Sequence, residues 1–124
     1  WSQVEMHRAP TERLRRMCEE FVDWGIPTAE ALVEIRAELP HTPLIASGGL
    51  RSSTDLAKSL ALGADLGGLA GPFLKAANTS AQAVADLASE LAAMLRTIMF
   101  SLGIPDVNSL KGTSLLRPYP PTAT

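Results

Sequence analysis

Apolar residues follow two alternating patterns along the chain, namely short continuous runs and repeats at intervals of three and four residues. The short runs predict β-strands in the segments FVDW (21–24), PLIASGG (43–49) and ADLGGLAG (64–71). The repeats predict helices over residues 29–39, between residues 52–54 and Gly63, and over residues 80–100. Residues 1–20 are polar and helix-prone.

This alternation favours a parallel sheet. Parallel neighbours need a long crossover between them, and a helix supplies that crossover. We therefore expect an α/β fold with three consecutive βα units. Thr28 is a candidate N-cap for the helix over residues 29–39, and Ser52, Ser53 or Thr54 for the next helix. Beyond Gly103 the periodicity fades, and the closing RPYPPTAT is expected to be loose.

Two glycine-rich turns, one βα unit apart, form the candidate binding site of the chain. The segment SGGLR (47–51) follows the second run and AGP (70–72) follows the third. A turn between a strand and a helix start points bare backbone N–H groups at an anion, and glycine lets the anion approach closely. The candidate phosphate-binding residues are Gly48, Gly49, Leu50, Arg51, Ala70 and Gly71.

Composition removes several classes of function. The chain has 124 residues and a formal net charge of -2, which gives no basic footprint for nucleic acid. The apolar stretch at residues 81–100 is interrupted by charged residues, so no membrane span is expected. Cys18 is the only cysteine, and we expect a cytoplasmic protein. His7 and His41 have no partners at ligand spacing, so no metal site is predicted.

Three segments together resemble the last third of type 2 isopentenyl diphosphate isomerase, an FMN-dependent enzyme of isoprenoid synthesis. They are DWGIPTAEALVEIR, PLIASGGLRSSTDLAKSLALGADLGGLAGPFLKAA and LRTIMFSLG. The opening WSQVEMHR is similar to the segment that follows a flavin-contacting Gly-Thr-Ser turn in that family. The resemblance covers residues 1–110, with residues 111–124 as a tail.

The resemblance implies the last three units of a TIM (β/α)8 barrel, whose last two strands end in phosphate-binding loops. It implies that both turns bind the FMN phosphate through backbone amides. It also implies interconversion of isopentenyl and dimethylallyl diphosphates, with NADPH as reductant and Mg²⁺ holding the diphosphate. The family's catalytic and metal-binding residues precede the matched segment, so no catalytic residue is assigned to this chain.

An incomplete barrel has a physical consequence for the expected fold. Three strands cannot close a barrel, so we expect an uncovered apolar sheet face or an unpaired edge. A fragment of a longer enzyme, whose other part supplies the missing strands, is favoured over a complete product that pairs with further copies. A homo-oligomer or the missing N-terminal part of the barrel is the expected partner.

Two other functions stay open at this point. One is another FMN barrel such as an α-hydroxy-acid oxidase, although those relatives resemble DGG and GRP where this chain reads SGG and AGP. The other is a non-catalytic truncated half-barrel that binds a phosphate. Trp24 either flanks a ligand or fills the layer beneath it, whereas Asp55 is expected to complement a helix dipole and Lys75 to lie on the surface.

Overall fold

The computed structural model describes residues 2–117. Within them, helices alternate with two very short strands along the chain, in the order α1 (Ser2–Arg8), α2 (Glu12–Glu20), α3 (Thr28–Glu38), β1 (Ile45–Ala46), α4 (Ser53–Ala61), β2 (Leu66–Gly67), α5 (Ala70–Ala77), α6 (Ala81–Ser101) and α7 (Val107–Leu110). The described part is therefore an α/β structure, rich in helix, with a small sheet that does not close into a barrel. None of the helices in this range is long and apolar enough to cross a membrane.

The two strands pair in parallel, as the alternation of strands and helices predicts. Ile45 lies opposite Leu66, and Ala46 lies opposite Gly67. Ala46 is buried against the helices, whereas Ile45 and Leu66 are 62% and 61% exposed. The sheet is thus covered on one side only, and the face that carries Ile45 and Leu66 is apolar and open.

The prediction of a strand at residues 21–24 is wrong, because this segment forms turns. The N–H groups of Phe21 and Val22 donate to carbonyls of α2, and the Trp24 N–H donates to the Phe21 carbonyl at 3.1 Å. The rings of Phe21 and Trp24 meet edge to face, with centroids 5.8 Å apart. These backbone N–H groups bond locally and do not need a neighbouring strand. The described residues therefore contain two strands and not the three that the sequence predicted.

The predicted helices are confirmed with small changes at their ends. Ser52 caps α4, as one of the three alternatives in the sequence. The expected cap Thr28 is instead the first residue of α3, and Pro27 occupies the cap position without a side-chain hydrogen bond. The polar segment at residues 1–20 is interrupted near Pro10, which cannot donate a helical hydrogen bond, and Thr11 then caps α2.

Two helices were not expected from the sequence. Helix α5 begins at Ala70, and Pro72 lies in its first turn, where a missing N–H costs no intrahelical hydrogen bond. Helix α7 begins after Asp106, whose carboxylate accepts from the Ser109 N–H at 2.7 Å. The Gly112 N–H then donates to the Ala61 carbonyl at 3.0 Å, so the chain just after residue 110 is tied to α4. Residues 118–124, which make up half of the tail expected at residues 111–124, lie outside the described residues.

The core has two parts that meet at α4. One packs beneath the ends of the strands and comprises Leu32, Ala46, Leu50, Ala64 and Leu69. The other lies between α4, α6 and α7 and comprises Ala57, Leu60, Ala61 and Leu110. Helix α4 lies so close to β2 that a side chain at Gly67 would collide with Leu56. The buried Ser53 hydroxyl donates to the Leu91 carbonyl of α6 at 3.1 Å, which fixes the start of α4 against the long helix.

An ion network joins the elements at the N-terminal end of the strands. Asp65 accepts hydrogen bonds from Arg36 Nη2 at 2.8 Å, Lys111 Nζ at 2.6 Å and the Leu44 N–H at 2.8 Å. The Lys111 ammonium, the Leu44 N–H and the Arg36 guanidinium together lower the pKa of Asp65 far below its ordinary value. Arg36 also donates to the Gly63 carbonyl at 2.9 Å, so one side chain links α3, the end of α4 and the start of β2.

Candidate anion-binding site

The parallel sheet brings the two glycine-rich turns side by side. Both strands end at the same edge, and the Gly68 N–H donates to the Ala46 carbonyl at 2.7 Å. A Cβ built on Gly68 would lie 3.6 Å from the Ser47 side chain, which makes these two residues neighbours across the ladder. Residues 48–51 and 70–71, which lie about twenty positions apart in sequence, therefore start from adjacent points on the sheet.

The first turn exposes backbone because both of its glycines adopt conformations that other residues avoid. Gly48 has φ +106° and Gly49 has φ +84°. Around a Cβ built on Gly49 there is no atom within 4 Å, so its surroundings are open. The next side chain, Leu50, is buried in the core beneath the strand ends. The turn is thus anchored from below by Leu50 while the backbone of Gly49 stays accessible.

The capping box of α4 uses part of the first turn. The Asp55 carboxylate accepts from the N–H groups of Arg51 and Ser52, both at 3.0 Å, and from the Ser52 hydroxyl at 2.9 Å. The Arg51 N–H and then the Ser52 hydroxyl lower the pKa of Asp55, so it stays charged. The Arg51 amide is therefore already engaged. Its exposed guanidinium has no hydrogen-bond or ion-pair partner within the described residues and is accessible to an anion.

The second turn leaves the start of α5 without a side-chain cap. The first N–H groups of a helix have no intrahelical acceptors, and in α4 a serine and an aspartate satisfy two of them. In α5 the cap residue is Leu69, whose side chain is buried in the core and makes no cap hydrogen bond. A Cβ built on Gly71 meets no atom within 4 Å. The amides of Ala70 and Gly71 thus lie at the positive end of a helix dipole, beside open space.

Thr28 joins this site, although the sequence indicated only a capping role for it. Its hydroxyl donates to the Gly48 carbonyl at 2.9 Å. A Cβ on Gly48 would lie 2.9 Å from that hydroxyl oxygen, so glycine is needed there for its space as well as its φ. The contact joins residues twenty positions apart, and no local sequence signal predicts it.

Two other residues considered in the sequence lie on the surface. Trp24 is exposed beside Phe21, and Lys75 is exposed on α5. Over the described part of the chain, no three His, Cys, Asp or Glu side chains come close enough to hold a metal ion. A cleft of about 440 Å³ lies at the opposite end, beside Arg36, Asp65 and Lys111. Arg36 and Lys111 both pair with Asp65, so the charged groups of that cleft are already engaged within the fold.

A phosphate suits the arrangement at the strand ends. The accessible donors are backbone N–H groups of glycine and of an uncapped helix start, together with one unpaired guanidinium, and these are groups that phosphate oxygens accept from. The nearest carboxylate, Asp55, is turned toward the capping box. The open space at Gly49 and Gly71 leaves room for a phosphate group to approach.

Comparison with known proteins agrees with this chemistry. A family model described as FMN-dependent dehydrogenase matches residues 21–117. The chain is 48% identical over 117 residues to an isopentenyl-diphosphate delta-isomerase of Nostoc sp., with 94% of this chain and 33% of that protein covered. Proteins of the same name from Synechococcus sp. and Xanthobacter autotrophicus are each 48% identical, over 95% and 93% of this chain and 34% and 33% of their own lengths. The chain thus spans about a third of the length of the curated relatives it matches.

Proposed function

Because the chain belongs to the FMN-dependent dehydrogenase family, we propose that its two turns bind the phosphate of FMN. The observation that carries this proposal is the juxtaposition of the open Gly48–Gly49 turn and the uncapped start of α5 at one edge of a parallel sheet. Gly49, Leu50, Ala70 and Gly71 bind through their amides. The Arg51 side chain adds a charged donor, since its own amide serves Asp55.

The enzyme to which this site contributes is, in our proposal, an isopentenyl-diphosphate delta-isomerase. Relatives of that name at 48% identity support this choice over other FMN enzymes. In the proposed enzyme, reduced FMN supplies acid and base chemistry for the interconversion of isopentenyl and dimethylallyl diphosphates. NADPH as reductant and Mg²⁺ as a ligand of the diphosphate follow from the same likeness, and no residue of this chain is assigned to either. The residues described above bind and orient the flavin by its phosphate end.

The proposed fold of the whole enzyme is a TIM barrel to which residues 1–110 contribute the final βα units. The open apolar face with Ile45 and Leu66 supports this, because further strands would cover it. We propose that these strands belong to the same polypeptide in the complete enzyme, with association of copies as the alternative. The single cysteine, Cys18, is consistent with the cytoplasmic location that we propose.

The test is a fluorescence titration of the 124-residue chain with FMN, with riboflavin as the ligand that lacks the phosphate. We expect saturable binding of FMN and much weaker binding of riboflavin. Equal affinity for both ligands, or no binding of FMN by a chain that circular dichroism shows to be folded, would refute phosphate recognition by these turns.

A pair of glycine variants distinguishes loss of FMN binding at the turn from loss caused by general destabilisation of the fold. Gly49→Val places a β-branched residue at φ +84° in the turn, and Gly103→Val does the same at φ +68° after α6. Both glycines have open surroundings, so the two variants carry similar local strain. We expect only Gly49→Val to abolish FMN binding. Loss of binding in both variants would mean that destabilisation, not the turn, explains the effect.

A further inference from the structure

The peptide group between Gly48 and Gly49 is the one in the first turn whose plane can flip most easily. A peptide is planar, so it rotates as one unit and exchanges the directions of its carbonyl and its N–H. Side chains on either side usually restrict that rotation, but here both neighbours are glycines with positive φ. A reversed peptide would present the Gly48 carbonyl oxygen where the Gly49 N–H had been, and an oxygen repels an anion.

One contact in the described structure holds this peptide in a single orientation. The Thr28 hydroxyl donates to the Gly48 carbonyl oxygen at 2.9 Å. In a trans peptide the carbonyl and the following N–H point in opposite directions. While the Gly48 carbonyl is directed at Thr28, the Gly49 N–H is therefore directed away from α3.

The surroundings of Thr28 indicate that its hydroxyl is committed to this contact. Thr28 is the first residue of α3, and the cap position before it is Pro27, which makes no side-chain hydrogen bond. The hydroxyl thus bridges to another element instead of capping its own helix. A Cβ on Gly48 would lie 2.9 Å from the hydroxyl oxygen, so a side chain there would displace the Thr28 hydroxyl from its present position. The glycine and the threonine are therefore matched to each other.

From these observations we infer that Thr28 is a positioning residue for phosphate recognition, which sets the Gly48–Gly49 peptide so that the Gly49 N–H faces the ligand. This inference rests on the proposed function, since it assigns Thr28 a task within the same site. Thr28 itself touches no ligand; it acts through the Gly48 carbonyl.

The test compares Thr28→Val, which keeps the shape of the side chain but loses the hydroxyl, with Thr28→Ser, which keeps the hydroxyl. We expect Thr28→Val to weaken FMN binding by about five- to tenfold, the effect of one lost hydrogen bond, and to leave riboflavin binding unchanged. Thr28→Ser stays within about twofold of the unsubstituted chain. Thr97→Val is the matched control, because it removes a hydroxyl-to-carbonyl bond of 3.1 Å between two exposed residues of α6 that are not part of the site.

A second readout does not depend on flavin. In the nitrogen–proton NMR spectrum of the ligand-free chain, the Gly49 amide signal should move or broaden in Thr28→Val and stay in place in Thr28→Ser. An unchanged Gly49 signal in Thr28→Val, or unchanged FMN affinity, would overturn the inference. If the unsubstituted chain binds no FMN, the proposed function fails, and the NMR comparison still decides whether Thr28 orients this peptide.

Discussion

Replacement of Leu110 by alanine tests how firmly the segment after α6 belongs to the fold. Leu110 is the last residue of α7 and is only 1% exposed. It packs in the same cluster as Ala57, Leu60 and Ala61 of α4. Truncating a fully buried leucine removes its apolar surface from the core and leaves a cavity, which costs about 2–5 kcal/mol in comparable cases.

We expect Leu110→Ala to lower the free energy of unfolding by about 3 kcal/mol. A domain of this length has a total of roughly 6–19 kcal/mol, so the loss is a large part of its stability. With a urea dependence of about 1.5 kcal/mol per molar, the unfolding midpoint falls by about 2 M. The assay is urea unfolding followed by helical circular dichroism at low protein concentration, so that self-association does not interfere.

Leu115→Ala is the matched control, because Leu115 lies five residues further along and is 51% exposed. We expect it to change the free energy of unfolding by less than about 0.5 kcal/mol. Equal effects of the two variants would refute the packing argument. So would a separate early transition in the unsubstituted chain, since residues 104–117 would then unfold independently of α4.

Two further predictions concern the ends of the sheet. Three hydrogen-bond donors lower the pKa of Asp65 in the folded chain below the ordinary aspartate value of 3.8. The ion network of Asp65 therefore stabilises the fold at pH values above 3.8, and this stabilisation is lost as the pH falls below 3.8. The stability gap between Asp65→Asn and the unsubstituted chain should therefore narrow from pH 7 to pH 3 in thermal unfolding scans, and a constant gap would contradict this. Ser52→Ala, which removes the cap of α4, should cost about 1 kcal/mol in urea unfolding. Ser52→Thr should cost less, and equal losses would show that the capping bond is not responsible.

Local signals in the sequence were sufficient wherever a helix or turn depends on its own residues. The apolar spacing of α6 and the serine and aspartate of the α4 capping box identify those helices. The first glycine turn could be predicted from its two consecutive glycines, because few other residues tolerate φ values such as +84°. The parallel pairing of the strands followed from the helix between them.

Features that depend on distant contacts could not be predicted in the same way. The run at residues 21–24 has the composition of a strand, but no neighbouring strand pairs with it in the described structure, so local turns prevail. Pro72 usually ends an element, yet in α5 it occupies the one turn that accepts it. The bond from Thr28 to Gly48 and the ion network of Asp65 join residues twenty or more positions apart. Only the folded chain reveals them.

Arg36 has a consequence for anyone who redesigns this protein. Its guanidinium binds the carbonyls of Pro40, Thr42 and Gly63 as well as Asp65, all at the N-terminal end of the strands. One side chain at the end opposite the glycine turns therefore makes several of the polar contacts between consecutive units. The ligand end can accordingly be rebuilt for a different phosphate compound while Arg36 preserves the alignment of the scaffold, which makes recognition and architecture separable traits in this chain.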